Sequence, residues 1–184
     1  MWISTRSGTR GTQRHPDAQV ADGLAADRAL LDRLDALPAA ARPGFRFAMG
    51  PMEFDFDGFV GLRLNEHTLH TWDVAVALDP RATLLPEAVP FVLDGVGLIA
   101  GFTGRPSDAD PVHVRTTEPH RDMTLVLGPD TVAIAPGTDG DAPDLELPAE
   151  AFIRLLYGRL DPDHTPEVSN PDAVARLRAV FPGP

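Results

Sequence analysis

The residues best placed to do chemistry together are a carboxylate and an imidazole four positions apart, Glu66 and His70, inside the run from Asn65 to Asp73. On a helix that spacing points both side chains the same way from adjacent turns. The pair offers a hard oxygen and a borderline nitrogen, a donor set that suits zinc or another divalent ion. His67, three before His70, could join the same edge. Asp73, three after it, could hold an imidazole N–H from behind. The order Glu-His-x-x-His is not that of the zincins, in which a histidine precedes the glutamate, so a metalloprotease is not implied. A Glu–His pair at this spacing is also an ordinary surface hydrogen bond, and two ligands do not close a tetrahedral site. Spacing alone leaves both readings open.

These residues need a helix to carry them. The pattern predicts one from Asp57, read as its cap, to Leu78, where Asp79-Pro80 stops it. A helix is expected before it over Asp17 to Ala41, with Leu24, Leu30, Leu31, Leu34 and Leu37 forming an apolar stripe. A loop of alternating aromatics, Phe45, Phe47, Phe54 and Phe56, joins the two. A third helix is expected from Pro86 to Gly101, interrupted by Gly95 and Gly97. Residues 1–16 lack periodicity and are expected to form a flexible tail.

The character changes after a polar, proline-bearing connector, Arg105 to Pro111, read as a domain boundary. Val112, Val114 and Thr116 alternate as in a strand. Met123 to Leu127 and Thr131 to Ile134 flank a Gly-Pro-Asp turn, and Leu145 to Leu147 makes a further short strand. Helices follow from Pro148 to Leu160 and from an Asn170-Pro171 start. The expected organisation is a tail (1–16), a helical domain (17–104) and a small α+β domain (111–184), hence an α+β chain.

Composition narrows the function. The chain has 184 residues, 27 acidic and 16 basic, with a net charge of −11, so nucleic acid is not an expected partner. It has no cysteine, which excludes disulfides and a cysteine nucleophile, and no lysine, which excludes Schiff-base chemistry. The longest apolar run, Val89 to Phe102, carries Asp94 and three glycines, so no membrane span is expected. The acidic run Asp139 to Glu146 lacks calcium-loop spacing and reads as a solvated loop. His113, His120 and His164 are expected at the surface, and Trp72 as a packing anchor.

The stretch Phe59 to Leu78, with Glu66, His70, Trp72 and Asp73 in a Glu-x-x-x-His-x-Trp-Asp pattern, resembles the mycothiol-dependent maleylpyruvate isomerase family of actinobacteria. Leu147 to Arg159, with its Tyr-Gly-Arg end, and the segment Asn170 to Phe181 resemble that family's C-terminal domain. The resemblance implies a DinB-like helical bundle followed by a sterol-carrier-like α+β domain, with the first two bundle helices missing. It implies a cytoplasmic protein that binds zinc through Glu66 and His70 and uses mycothiol as cofactor on a small-molecule substrate. Arg159 is the candidate substrate-binding residue, its alternative role being to steady a helix end. The family's third zinc ligand, an upstream histidine, has no counterpart, since only His15 precedes Glu66. The alternative is a non-catalytic relative that binds a ligand, or forms a homodimer through an uncovered apolar face.

Overall fold

Helix α1, Pro16–Asp35, begins at the cap His15, whose Nδ1 accepts the Asp17 N–H, with proline in the first helical position. The computed structural model describes residues 15–137, 140 and 142–183. Of the expected tail, residues 1–14 lie outside that range, and Pro16 is already helical. The helix stops short of the expected Ala41 because Pro38 disfavours helical backbone at the residue before it. The chain continues as a 3-10 turn over Ala39–Gly44. The expected loop holds a small antiparallel hairpin, β1 (Phe47–Met49) and β2 (Met52–Phe54), with Phe47 opposite Phe54. Its two-residue turn needs left-handed backbone, which Gly50 supplies at φ 58°. Phe45 meets Phe56 edge-on at 5.7 Å between centroids, and the Arg42 guanidinium stacks over Phe56 at 4.7 Å.

The described parts of residues 1–57 and of residues 58–184 are two compact units. The division therefore falls near the start of the second long helix, not at the polar connector 105–111. That connector is tied into the second unit: the Arg105 N–H donates to Val180 O and the Ser107 N–H to Gly128 O.

Helix α2 spans Phe56–Leu78, so Asp57 sits in its first turn instead of capping it. The third expected helix is two short ones, α3 (Val89–Asp94) and α4 (Val96–Thr103), divided at Gly95, a residue that propagates helix poorly. Four strands follow: β3 (Val112–Thr117), β4 (Arg121–Leu127), β5 (Val132–Pro136) and β6 (Leu145–Pro148). Their order is β5-β4-β3-β6, antiparallel except for the parallel β3–β6 pair. Period-two alternation buries Val112, Val114, Thr116, Met123, Leu125 and Leu127 on one face. Helix α5 (Ala149–Leu156) packs there against α3, α4, β3 and β6, and α4 also packs on β5. Helix α6 (Pro171–Val180) is capped by Asn170, whose side chain accepts the Ala173 N–H at 3.1 Å. Leu69 and Trp72 of α2 join the same core. Helices beside a mixed sheet make this an α+β fold.

Every residue of α5 except Glu150 is buried, including the cation Arg154, whose side chain is 3% exposed. Its Nε and Nη2 each lie 2.8 Å from a Glu150 carboxylate oxygen, and Nη1 donates to His164 O at 2.9 Å. Its guanidinium carbon sits 5.1 Å from the Trp72 ring centroid, so this charge bridges α5 and α2. Arg154→Ala strands the Glu150 carboxylate and should cost about 3–5 kcal/mol in urea denaturation. Glu150→Gln with Arg154→Met removes both charges and should cost less. Equal losses would show that the charge pair is not what matters.

Candidate functional site

The helical spacing of α2 places Glu66, His70 and Asp73 along one strip, and the side chains meet in a row. His70 Nε2 lies 3.4 Å from Glu66 Oε2, and His70 Nδ1 lies 2.9 Å from Asp73 Oδ2. Asp73 is gripped in turn by Arg159, with Nε to Oδ1 at 2.7 Å and Nη2 to Oδ2 at 2.8 Å. The row runs carboxylate, imidazole, carboxylate, guanidinium, from half-exposed Glu66 to largely covered Arg159.

Arg159 arrives from 86 residues away because the chain reverses sharply after α5. Gly158 takes φ 66°, and the Arg159 N–H returns to Arg154 O at 2.7 Å. A Cβ on Gly158 would lie 2.2 Å from Gly183, so only glycine permits the chain's last described residues to pack behind this turn. Arg159 thereby uses its Nε/Nη2 edge on Asp73, while Nη1 donates to Tyr157 O at 3.2 Å, at the end of α5. That carbonyl belongs to the residue that caps α5, so the contact lies at a helix end. The edge best suited to a bidentate grip on a substrate anion is occupied by Asp73.

The charges reinforce one another. The Arg159 hydrogen bonds hold the Asp73 carboxyl below the usual aspartate range, against the opposing effect of burial and with help from His70. The same bonds push the Arg159 guanidinium further up. Tyr157, part of the Tyr-Gly-Arg end but not a candidate site residue by sequence, has its ring centroid 5.8 Å from the Arg159 guanidinium carbon. Its hydroxyl oxygen is buried with no hydrogen-bond partner among the described residues. Burial, then the Glu66 charge, push its pKa up to about 12. Only its place two residues before Arg159 could have drawn attention to it.

Other candidates lie elsewhere. His67 turns to the preceding turn, 2.8 Å from Arg63 Nη2, and does not join the His70 edge. Trp72 faces the core and donates from Nε1 to Ala82 O at 2.8 Å. His164, expected in solvent, is mostly covered; it bonds Asp161 and meets the Trp72 ring edge-on at 6.1 Å. His113, also expected at the surface, is 11% exposed and lies 3.2 Å from Asp122, which pairs with Arg115 and with exposed His120 as well. The strand register explains this group, since it sets Arg115 opposite Asp122. Asp139 and Asp141 of the acidic run lie outside the described residues.

Two ligands about 2.1 Å from a tetrahedral ion are about 3.4 Å apart, which is the Glu66 Oε2 to His70 Nε2 separation. Metal-bound histidines also usually donate their second ring nitrogen to a carboxylate, the position Asp73 holds here. On both counts the pair fits two vertices of a zinc site. Among the described residues no group of three or more His, Cys, Asp or Glu is gathered for a metal, so no third protein donor joins them.

The Asp73–Arg159 link makes a pH prediction. Asp73 has a lower pKa folded than unfolded, so its stabilisation is present above the unfolded value and is lost as pH falls through the folded one. Asp73→Asn should cost about 1 kcal/mol at neutral pH, most of the strength of a partly exposed pair being screened. Urea denaturation in acid should show the difference from wild type shrinking below the ordinary aspartate value of 3.8. A difference that does not change with pH would count against the link.

Compared with protein-family models, curated proteins and solved structures, the chain matches none, so the reading of this row rests on its own geometry.

Proposed function

We propose that this is a metal-binding, thiol-dependent isomerase or thiol transferase of the maleylpyruvate isomerase type, with its centre on Glu66 and His70. The observation that carries the reading is the 3.4 Å separation of Glu66 Oε2 and His70 Nε2, with Asp73 on the far nitrogen of the same ring. Asp73 meets the imidazole at Nδ1, which turns Nε2 towards Glu66. Arg159 keeps Asp73 ionised and in place. A zinc ion held there would supply Lewis acidity, lowering the pKa of a thiol brought to it.

The thiol comes from a cofactor such as mycothiol, because the chain has no cysteine. Such a thiol would supply a nucleophile for reversible addition to the activated cis double bond of a small dicarboxylate, and because it would be expelled again the isomerisation would involve no net change in atoms or electrons. Reduced small thiols are maintained in the cytoplasm, which is the setting this chemistry requires. No helix among the described residues is long and apolar enough to cross a membrane.

A second reading has its own observation. Leu78, Phe91, Leu98 and Phe102 are exposed on the helices of the second unit. Association through these side chains is the basis of the alternative, a non-catalytic relative that works by binding.

Elemental analysis of the purified chain, supplied with zinc, separates the two. The isomerase reading expects about one zinc per chain, lost in Glu66→Ala with His70→Ala, and thiol-dependent turnover that needs it. A zinc-free chain that sediments as a dimer would replace it with the second reading.

A further inference from the structure

We infer that two copies of this chain form a reciprocal dimer, with α1 of each copy lying antiparallel along the α3–α4 face of the other. Residues 89–103 are apolar on every side, Asp94 being their single charge. One side enters the core through Val89, Val92, Leu93, Val96, Ile99 and Ala100. The other side presents Phe91, Leu98 and Phe102, which are 69%, 56% and 76% exposed. A helical segment that is apolar all round is ordinarily covered all round. Helix α1 lacks a cover as well, since none of its 20 residues is buried. Leu30 and Leu34 are partly covered, whereas Val20, Leu24 and Leu31 are 62%, 67% and 55% exposed. Helices in proteins owe most of their stability to the packing of such an apolar face.

The two strips match in spacing. From Val20 to Leu24 to Leu31 the steps are four and seven residues, and from Phe91 to Leu98 to Phe102 they are seven and four. Such steps keep side chains on one helix face, and Gly95 stays in the helical region at φ −96° and ψ −3°. Each strip is about 16 Å long. An antiparallel alignment sets Val20 against Phe102, Leu24 against Leu98 and Leu31 against Phe91. Asp27, the charge within the α1 strip, then falls opposite Gly95, where Arg121, 3.6 Å from Asp94, can take a second carboxylate. At ordinary side-chain areas the exposed fractions leave about 300 Å² on the α1 strip and about 400 Å² on the other. Two such contacts related by a two-fold axis cover about 1,400 Å², within the range of stable dimers. Two α3–α4 strips facing each other would cover about 800 Å², the limit of incidental contacts, and leave α1 bare. Both strips lie exposed in the single chain, and a second copy supplies each with its cover.

Sedimentation of the full-length chain reads the state, and the absence of cysteine lets introduced thiols map the pairing. A dimer is expected. Leu24→Asp or Leu98→Asp should each weaken it at least about a hundredfold, since either loss occurs twice per dimer, with the cooperative melting of the core retained. Leu24→Cys and Leu98→Cys chains are then mixed and oxidised. A disulfide joining the two variants is expected in the mixture, with little cross-linking of either alone. A wild-type chain that stays monomeric at high micromolar concentration overturns the inference. So does a dimer that Leu98→Asp leaves intact, or one in which the mixed cross-link is missing. A disulfide closed within single, monomeric chains carrying both cysteine substitutions overturns it as well, by showing that each chain covers its own strip. The pairing uses neither Glu66 nor His70, so zinc content measured on the same samples should not differ between wild type and Leu98→Asp.

Discussion

A guanidinium group buried against an indole ring joins the helices α2 and α5. Arg154 sits on the inner side of α5, where every neighbour but Glu150 is apolar, and is accommodated because each edge of its charge is used. The carboxylate takes one edge, the His164 carbonyl the other, and the face lies against Trp72. A charge held this way specifies geometry more than it adds stability, because it tolerates little displacement before a donor is left unpaired. The contact fixes the rotation of α2 against α5. Trp72 turned inward leaves Glu66, His70 and Asp73 on the outer side of the same helix.

The row of charged groups inherits its placement from that contact. Arg154 and Arg159 are five residues apart on either side of a glycine turn, one binding the buried face of α2 and the other its exposed strip. Each polar group along the strip orients the next: Arg159 orients Asp73, Asp73 the imidazole, and the imidazole faces Glu66. Three of the four members come from one helix, so their mutual spacing depends little on the rest of the fold. Only the arginine depends on long-range assembly.

That difference explains what could be read from the residue order. Spacings of three and four were enough to align Glu66, His70 and Asp73, because an α-helix converts them into contacts with no help from tertiary structure. The strands from Val112 to Leu147 were legible from their alternation. The partner of Arg159 was not legible, since no local rule connects it to a residue 86 positions earlier. The hairpin around Gly50 was hidden by its three-residue strands, too short for a periodic signal. The environments of His113 and His164 also escaped, because they depend on residues distant in sequence, Asp122 on the neighbouring strand in one case and the Trp72 ring in the other. The polar connector looked like a boundary by composition, yet its backbone bonds to the turn after β4 and to the end of α6 tie it into the second unit.

The two outer strands of the sheet both end in proline, β5 at Pro136 and β6 at Pro148. Neither residue has an N–H to offer, and β6 is only four residues long. An incoming strand would find a ladder interrupted on either flank, so sheet extension by a second chain is disfavoured from both sides. At this sheet, association is thereby directed away from the backbone edges and towards side chains on helices and loops, where sequence can discriminate among partners.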